Sequence, residues 1–143
     1  MTTPPIVALS AERDPRAEAV VTAGLAAFNK AAFGRVDAQT LDVVVCADNS
    51  GEIVGGLLGH SSLGLFFLDL FYLPKKLRGG GVGSRALRMA EEEAIRRGCR
   101  AATLVTVNFQ APEFYARHGW EEFGRIASAP GVERIFMRKT FAV

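Results

Sequence analysis

Four glycines within five positions, Gly79, Gly80, Gly81 and Gly83, point more directly to chemistry than any other residues of this chain. Without a Cβ the backbone can turn sharply there, and a ligand can approach it closely. Between Leu70 and Ala90 stand five cations, Lys75, Lys76, Arg78, Arg85 and Arg88, and no acid. A helix opening behind such a turn offers unpaired N–H groups and the positive end of its dipole. Cations there oppose that dipole by roughly 0.3–1 kcal/mol each when exposed. An anion turns the repulsion into attraction, so the pattern suits a phosphate-bearing ligand. The plainer reading is a glycine-rich turn with solvated charges, and the lack of acids weighs against it.

The elements that must position this turn lie on both sides of it. Leu65 to Leu73 is rich in Phe and Leu and reads as a buried strand, ended by Pro74. After Gly83 the apolar residues Leu87, Ala90 and Ala94 share one helical face, and Arg96-Arg97-Gly98 closes that helix. Ala101 to Val107 is apolar enough to be an interior strand parallel to its predecessor. Upstream, Ile6 to Leu9 suits a short first strand, and Asp14-Pro15 starts a helix. That helix covers Ala17 to Phe33, with Gly24 a candidate break and Gly34 the stop. Leu41–Ala47 and Ile53–Leu58 form a hairpin about Asp48-Asn49-Ser50-Gly51, and His60 to Gly64 make the following turn. Ala111 to His118 is a short helix, and Trp120–Ile126 with Glu133–Phe141 an antiparallel pair. These elements predict one α/β (α+β) domain over 1–143. Its mixed, mostly antiparallel sheet has six to seven strands, a parallel crossover at 65–107 and helices on both faces.

Bulk properties narrow the function. A chain of 143 residues, 49% apolar, fits one domain with a full core. A formal charge of +2 gives no whole-protein pull toward nucleic acid, and the local basic cluster favours a small polyphosphate. Cys46 and Cys99 are isolated, without metal or redox spacing, and read as buried thiols in a reducing compartment. No leader and no segment of roughly 20 apolar residues is found, so a cytoplasmic protein without membrane attachment is expected. His60 and His118 stand alone, which favours structural roles and supports no metal site.

Two segments together are more specific. Arg78-Gly79-Gly80-Gly81-Val82-Gly83 has Arg, two residues, Gly, one residue, Gly. Asn108-Phe109-Gln110-Ala111-Pro112-Glu113-Phe114-Tyr115 has Asn, two residues, Ala, two residues, an apolar residue and Tyr, with Gly119-Trp120 shortly after. With a helix and a strand between them, they resemble the GNAT superfamily of acyl-CoA-dependent N-acyltransferases, from about Ile53 to Phe141. Gly81-Val82-Gly83-Ser84-Arg85-Ala86 also satisfies a dinucleotide-binding pattern. That motif belongs in an opening βαβ unit with an acid about 20 residues on, and neither condition holds.

The resemblance implies that the amides from Arg78 through Gly79, Gly80, Gly81, Val82 and Gly83 to Ser84 hold the pyrophosphate of acetyl-CoA. It implies that the chain at Leu73 pairs with the pantetheine arm, that Asn108 and Tyr115 lie near the thioester, and that Arg117 meets a CoA phosphate. Tyr115 is then the proton donor to the leaving thiolate. The acceptor is expected to be a small-molecule primary amine that attacks directly in a ternary complex, and the apolar strands allow a homodimer. An amine of pKa near 10.4 is neutral in only about one molecule in 2,500 at pH 7, a handicap of roughly 4–5 kcal/mol. Asp69, placed by a period of two on the face of Leu73, is the candidate base, directly or through water. Its plainer reading is a polar residue satisfied within the sheet. A non-catalytic acyl-CoA-binding module would need neither Asp69 nor Tyr115.

Overall fold

The computed structural model describes residues 3–142, and its internal contacts divide at Val36 and Asp37 into two compact units. The first is built on one helix, α1 (Pro15–Phe33). Asp14 caps it by accepting the Arg16 N–H at 2.8 Å, and Gly34, at φ 97°, ends it with an N–H donated to the Lys30 carbonyl at 2.8 Å. The helix runs through Gly24 without the expected break, because flanking helix formers outweigh one glycine, a cost of about 1 kcal/mol. Residues 6–9 form no strand.

The second unit is a seven-stranded sheet with two helices. Its strands are β1 (Gln39–Thr40), β2 (Val43–Cys46), β3 (Ile53–Ser62), β4 (Leu65–Tyr72), β5 (Ala101–Val107), β6 (Glu121–Ala127) and β7 (Glu133–Thr140). The order is β1-β3-β4-β5-β7-β6, with β2 also on β3. Among the described residues only β4 and β5 pair in parallel, and α2 (Val82–Arg96) makes their crossover. A shorter helix, α3 (Pro112–Arg117), follows β5. Strand β3 is longer than its pattern suggested. His60 is a strand residue, and the turn is confined to Leu63 and Gly64, at φ 47° and 83°. His60, Ser61 and Ser62 read as turn residues one at a time, but pairing with Phe67, Phe66 and Leu65 extends the strand.

The core lies on the α2 side of the sheet. Phe66 and Leu68 of β4 and Leu57 of β3 pack in one cluster with Leu87, Ala90 and Ala94 of α2 and with Leu104, Ile135 and Met137. Fully burying side chains of this size contributes roughly 1.5–3 kcal/mol each. Cys99 joins the cluster, whereas Cys46 is exposed at the end of β2, against the expectation that both thiols are buried. A short strand at the sheet margin leaves an apolar residue in solvent that a central strand would cover.

Two irregularities position the site. Strands β3 and β4 pair Leu58 with Leu70 and Gly59 with Leu68, so Asp69 is an extra residue, a β-bulge. Buried Phe66 and Leu68 are followed on their side by Phe71, packed against the core, rather than by Leu70. Second, β4 pairs with β5 only from Leu65–Ala101 to Leu68–Leu104. Beyond that row β4 stays on β3 and β5 on β7, and a split opens between them.

Candidate active site

The glycine loop forms the floor of the site. After a 3₁₀ turn at Lys75–Leu77, Gly79 and Gly81 take φ of 82° and 88°, a left-handed conformation that a residue with a Cβ adopts only under strain. Gly81 caps α2 without a side chain, and no acid occupies the first turn. The helix ladder opens with the Arg85 N–H donated to the Gly81 carbonyl at 3.0 Å. Among the described residues, none of the six amides from Gly79 to Ser84 donates to a protein group. Six such donors beside a helix N-terminus fit a diphosphate. A Cβ at Gly83 would come within 3.3 Å of Leu73 Cδ1 and 3.4 Å of Phe114 Cε1, so glycine also lets α2 pack closely there.

These amides open onto a groove of about 840 Å³ at the split in the sheet. Leu73, Arg78, Gly79, Gly81, Gly83, Ser84, Tyr115 and Arg117 line it, eight of the residues singled out from the sequence. Gly80 and Val82 belong to the loop but not to the groove wall. Arg78 folds back to donate from Nε to the Leu73 carbonyl at 2.9 Å, tying the loop to the end of β4. Phe71, Thr106, Phe109, Gln110 and Phe114 also line the groove. Of these, Phe114 was marked only as the apolar position of the downstream motif.

Asn108 lies off the groove. Its Nδ2 donates to the Gly131 carbonyl at 3.1 Å, and its Oδ1 accepts the Glu133 N–H at 2.9 Å. The side chain is spent on joining the end of β5 to the start of β7. Gln110 closes the turn after β5, accepting the Val107 N–H at 3.2 Å.

Tyr115 stands in α3, 7% exposed, edge-on to Phe114 and Trp120 at 5.3 and 6.0 Å between ring centroids. Burial pushes its phenol up to about 12, because the charged form would lose its hydration. Its hydroxyl bonds no protein group among the described residues, so it is a free donor on the groove wall.

Asp69 is placed differently from the period-two expectation. Leu73 contacts the α2 side near Gly83, whereas the Asp69 carboxylate accepts from His60 Nδ1 at 2.8 Å. The His60 ring stacks on Phe67 at 4.6 Å and 5°, on the sheet face away from α2. The bulge breaks the alternation on which the expected common face depended. Asp69 nevertheless comes immediately after the last β4–β5 row, at the vertex of the split.

A polar network holds α2 and α3 in register. His118 Nε2 and Ser84 Oγ are 2.9 Å apart, and the His118 carbonyl accepts from Lys139 Nζ at 2.7 Å. Glu91, nine-tenths buried, accepts from Lys139 and, at 3.1 Å, from Trp120 Nε1. The first turn of α2 and the helix carrying Tyr115 are thus joined through β7.

The sequence pattern of the Acetyltransferase (GNAT) family matches residues 10–120. The chain belongs to that family. It is 36% identical to the acetyltransferase Atu2258 of Agrobacterium fabrum over 118 residues, 82% of this chain and 85% of that one. It is 35% identical to the blasticidin-S acetyltransferase of Streptomyces morookaense over 99 residues, 66% and 72% of the two chains. An acetyltransferase from Bacillus cereus superposes with a TM-score of 0.76 at 27% identity, covering 93% of this chain and 98% of that one. As a GNAT protein it is an acyl-CoA-dependent N-acetyltransferase, with acetyl-CoA as cosubstrate. No described helix is long and apolar enough to cross a membrane.

Proposed function

We propose that this GNAT protein acetylates a primary amine of a small molecule by direct attack in a ternary complex. The observation that carries this reading is the run of six unengaged amides, Gly79 to Ser84, opening onto a groove whose wall carries Tyr115. Bound acetyl-CoA supplies an activated acetyl thioester. The loop amides hold its diphosphate, Arg78 and Arg117 add positive charge, and the end of β4 near Leu73 offers an unpaired edge to the pantetheine amides. Asn108 keeps the loop after β5 in place. Tyr115 retains its proton through neutral pH and donates it toward the departing sulfur. Neither cysteine lines the groove, which supports direct attack over a thioester on the enzyme. The amine loses its proton on the Asp69 side of the split.

The likeness to a blasticidin-S acetyltransferase supports a small-molecule acceptor. Calorimetry with acetyl-CoA, followed by thiol release with blasticidin S, an aminoglycoside, spermidine and a short peptide, tests the reading. Saturable cofactor binding is expected, with turnover on at least one non-peptide amine. Acetyl-CoA binding without release on any amine would leave a binding module.

A further inference from the structure

We infer that His60 is the catalytic base and that Asp69 is its positioning residue. This rests on the acetyltransferase reading above. Four observations meet at the pair. Strand alternation puts His60 and Phe67 opposite the core, away from α2 and the glycine loop. Asp69 marks the vertex of the split, so a small amine arriving from that face meets the pair as it nears the groove. Phe67 lies flat against the imidazole and fixes its plane. The carboxylate, 2.8 Å from Nδ1, fixes the tautomer.

That last contact decides which group takes the proton. An ionised carboxylate only accepts hydrogen bonds, so the neutral ring must carry its hydrogen on Nδ1. Nε2 is left with a free lone pair, and it bonds no protein group among the described residues. At 42% exposure the side chain is accessible to an acceptor. Asp69 has one carboxylate oxygen committed to the imidazole, and it stabilises the imidazolium that forms when Nε2 takes a proton, as the third member of a triad does. In the balanced step the ammonium gives one proton to Nε2, and the neutral nitrogen bonds the acetyl carbon and releases its second proton to solvent. The carbon–sulfur bond breaks, and the thiolate takes a proton from Tyr115. The imidazolium then returns its proton to solvent, and Tyr115 regains one.

Turnover and ring state test the assignment together. His60→Ala and His60→Gln are expected to lose about 100-fold or more in kcat/KM for the best acceptor of the amine panel, with the acetyl-CoA Kd within twofold of wild type. Added imidazole should restore part of the His60→Ala rate, and His60→Ala/Asp69→Ala should be no slower than His60→Ala. In the cofactor-free protein, nitrogen-15 NMR of the neutral ring should find the proton on Nδ1, and Asp69→Ala should release that preference. Near-normal turnover in both His60 variants, with Asp69→Ala still slow, would overturn the inference and make Asp69 the base. Wild-type protein that ignores acetyl-CoA would overturn the acetyltransferase reading itself, and this inference with it.

Discussion

Lys139 Nζ sits 2.6 Å from Glu91 Oε1 while donating to the His118 carbonyl at 2.7 Å, so one ammonium joins β7, α2 and the end of α3. Breaking such a pair strands charge in a poorly hydrated place. Glu91→Ala leaves Lys139 and the Trp120 N–H without their acceptor and is expected to cost about 2–4 kcal/mol in urea unfolding, discounted for the partial exposure of Lys139. Trp120 emission, sensitive to the lost bond, checks that the change is local.

The loop glycines separate conformational need from mere abundance. Gly81 has φ 88°, whereas Gly80 has no left-handed angle and nothing near its Cβ position. Gly81→Ala should destabilise the protein by about 1–2 kcal/mol and weaken acetyl-CoA at least tenfold in calorimetry. Gly80→Ala should fold normally and bind within a few-fold of wild type.

Tyr115→Phe should lower kcat about 10–100-fold with little change in the acetyl-CoA Kd, measured by thiol release and calorimetry. The same variant gives a pH signature. With the folded phenol at about 12 against an ordinary value of 10, both states are protonated below pH 10, and the full stability is present there. Between pH 10 and 12 the unfolded phenol ionises first, so stability falls by about 1.4 kcal/mol per unit. The fall should be shallower in Tyr115→Phe by about 2–3 kcal/mol across that window.

Arg117 lines the groove and no hydrogen bond or ion pair holds it among the described residues. Arg117→Ala should weaken acetyl-CoA by roughly 5–30-fold, on the scale of one charge-assisted bond. Wild-type affinity should fall with added salt, and less steeply in the variant.

Much of this site is legible in one dimension because its demands are local. A left-handed turn needs Gly79 and Gly81, the start of α2 carries no acid, and Ala101–Val107 is apolar at every position but Thr103 and Thr106 because it is central. The mostly antiparallel sheet with its parallel crossover follows from the same patterns, whereas nothing in them marks β1, and the strand they suggest at Ile6 to Leu9 does not form. What escaped depends on partners distant in sequence. His60 reads as a turn residue until Phe67 pairs with it. Asn108 reads as a groove residue until Gly131 and Glu133 claim its amide. The extra residue at Asp69 exists only as a mismatch between two strands, so no period within β4 reveals it. Ser84 and His118, 34 positions apart, meet only once α2 and α3 pack.

That extra residue also governs which length changes the gene can accept. Losing a codon at Leu70 would remove the bulge and set Asp69 opposite Leu58, leaving Phe71 opposite Leu57 and packed against Phe114. A deletion at Tyr72 has no such outlet, because it turns Leu73 to the opposite face of the chain and shortens the reach to the glycine loop. Viable descendants of this sequence should therefore keep the spacing from Phe71 to Gly79 fixed and shed length in β4 at the extra residue alone.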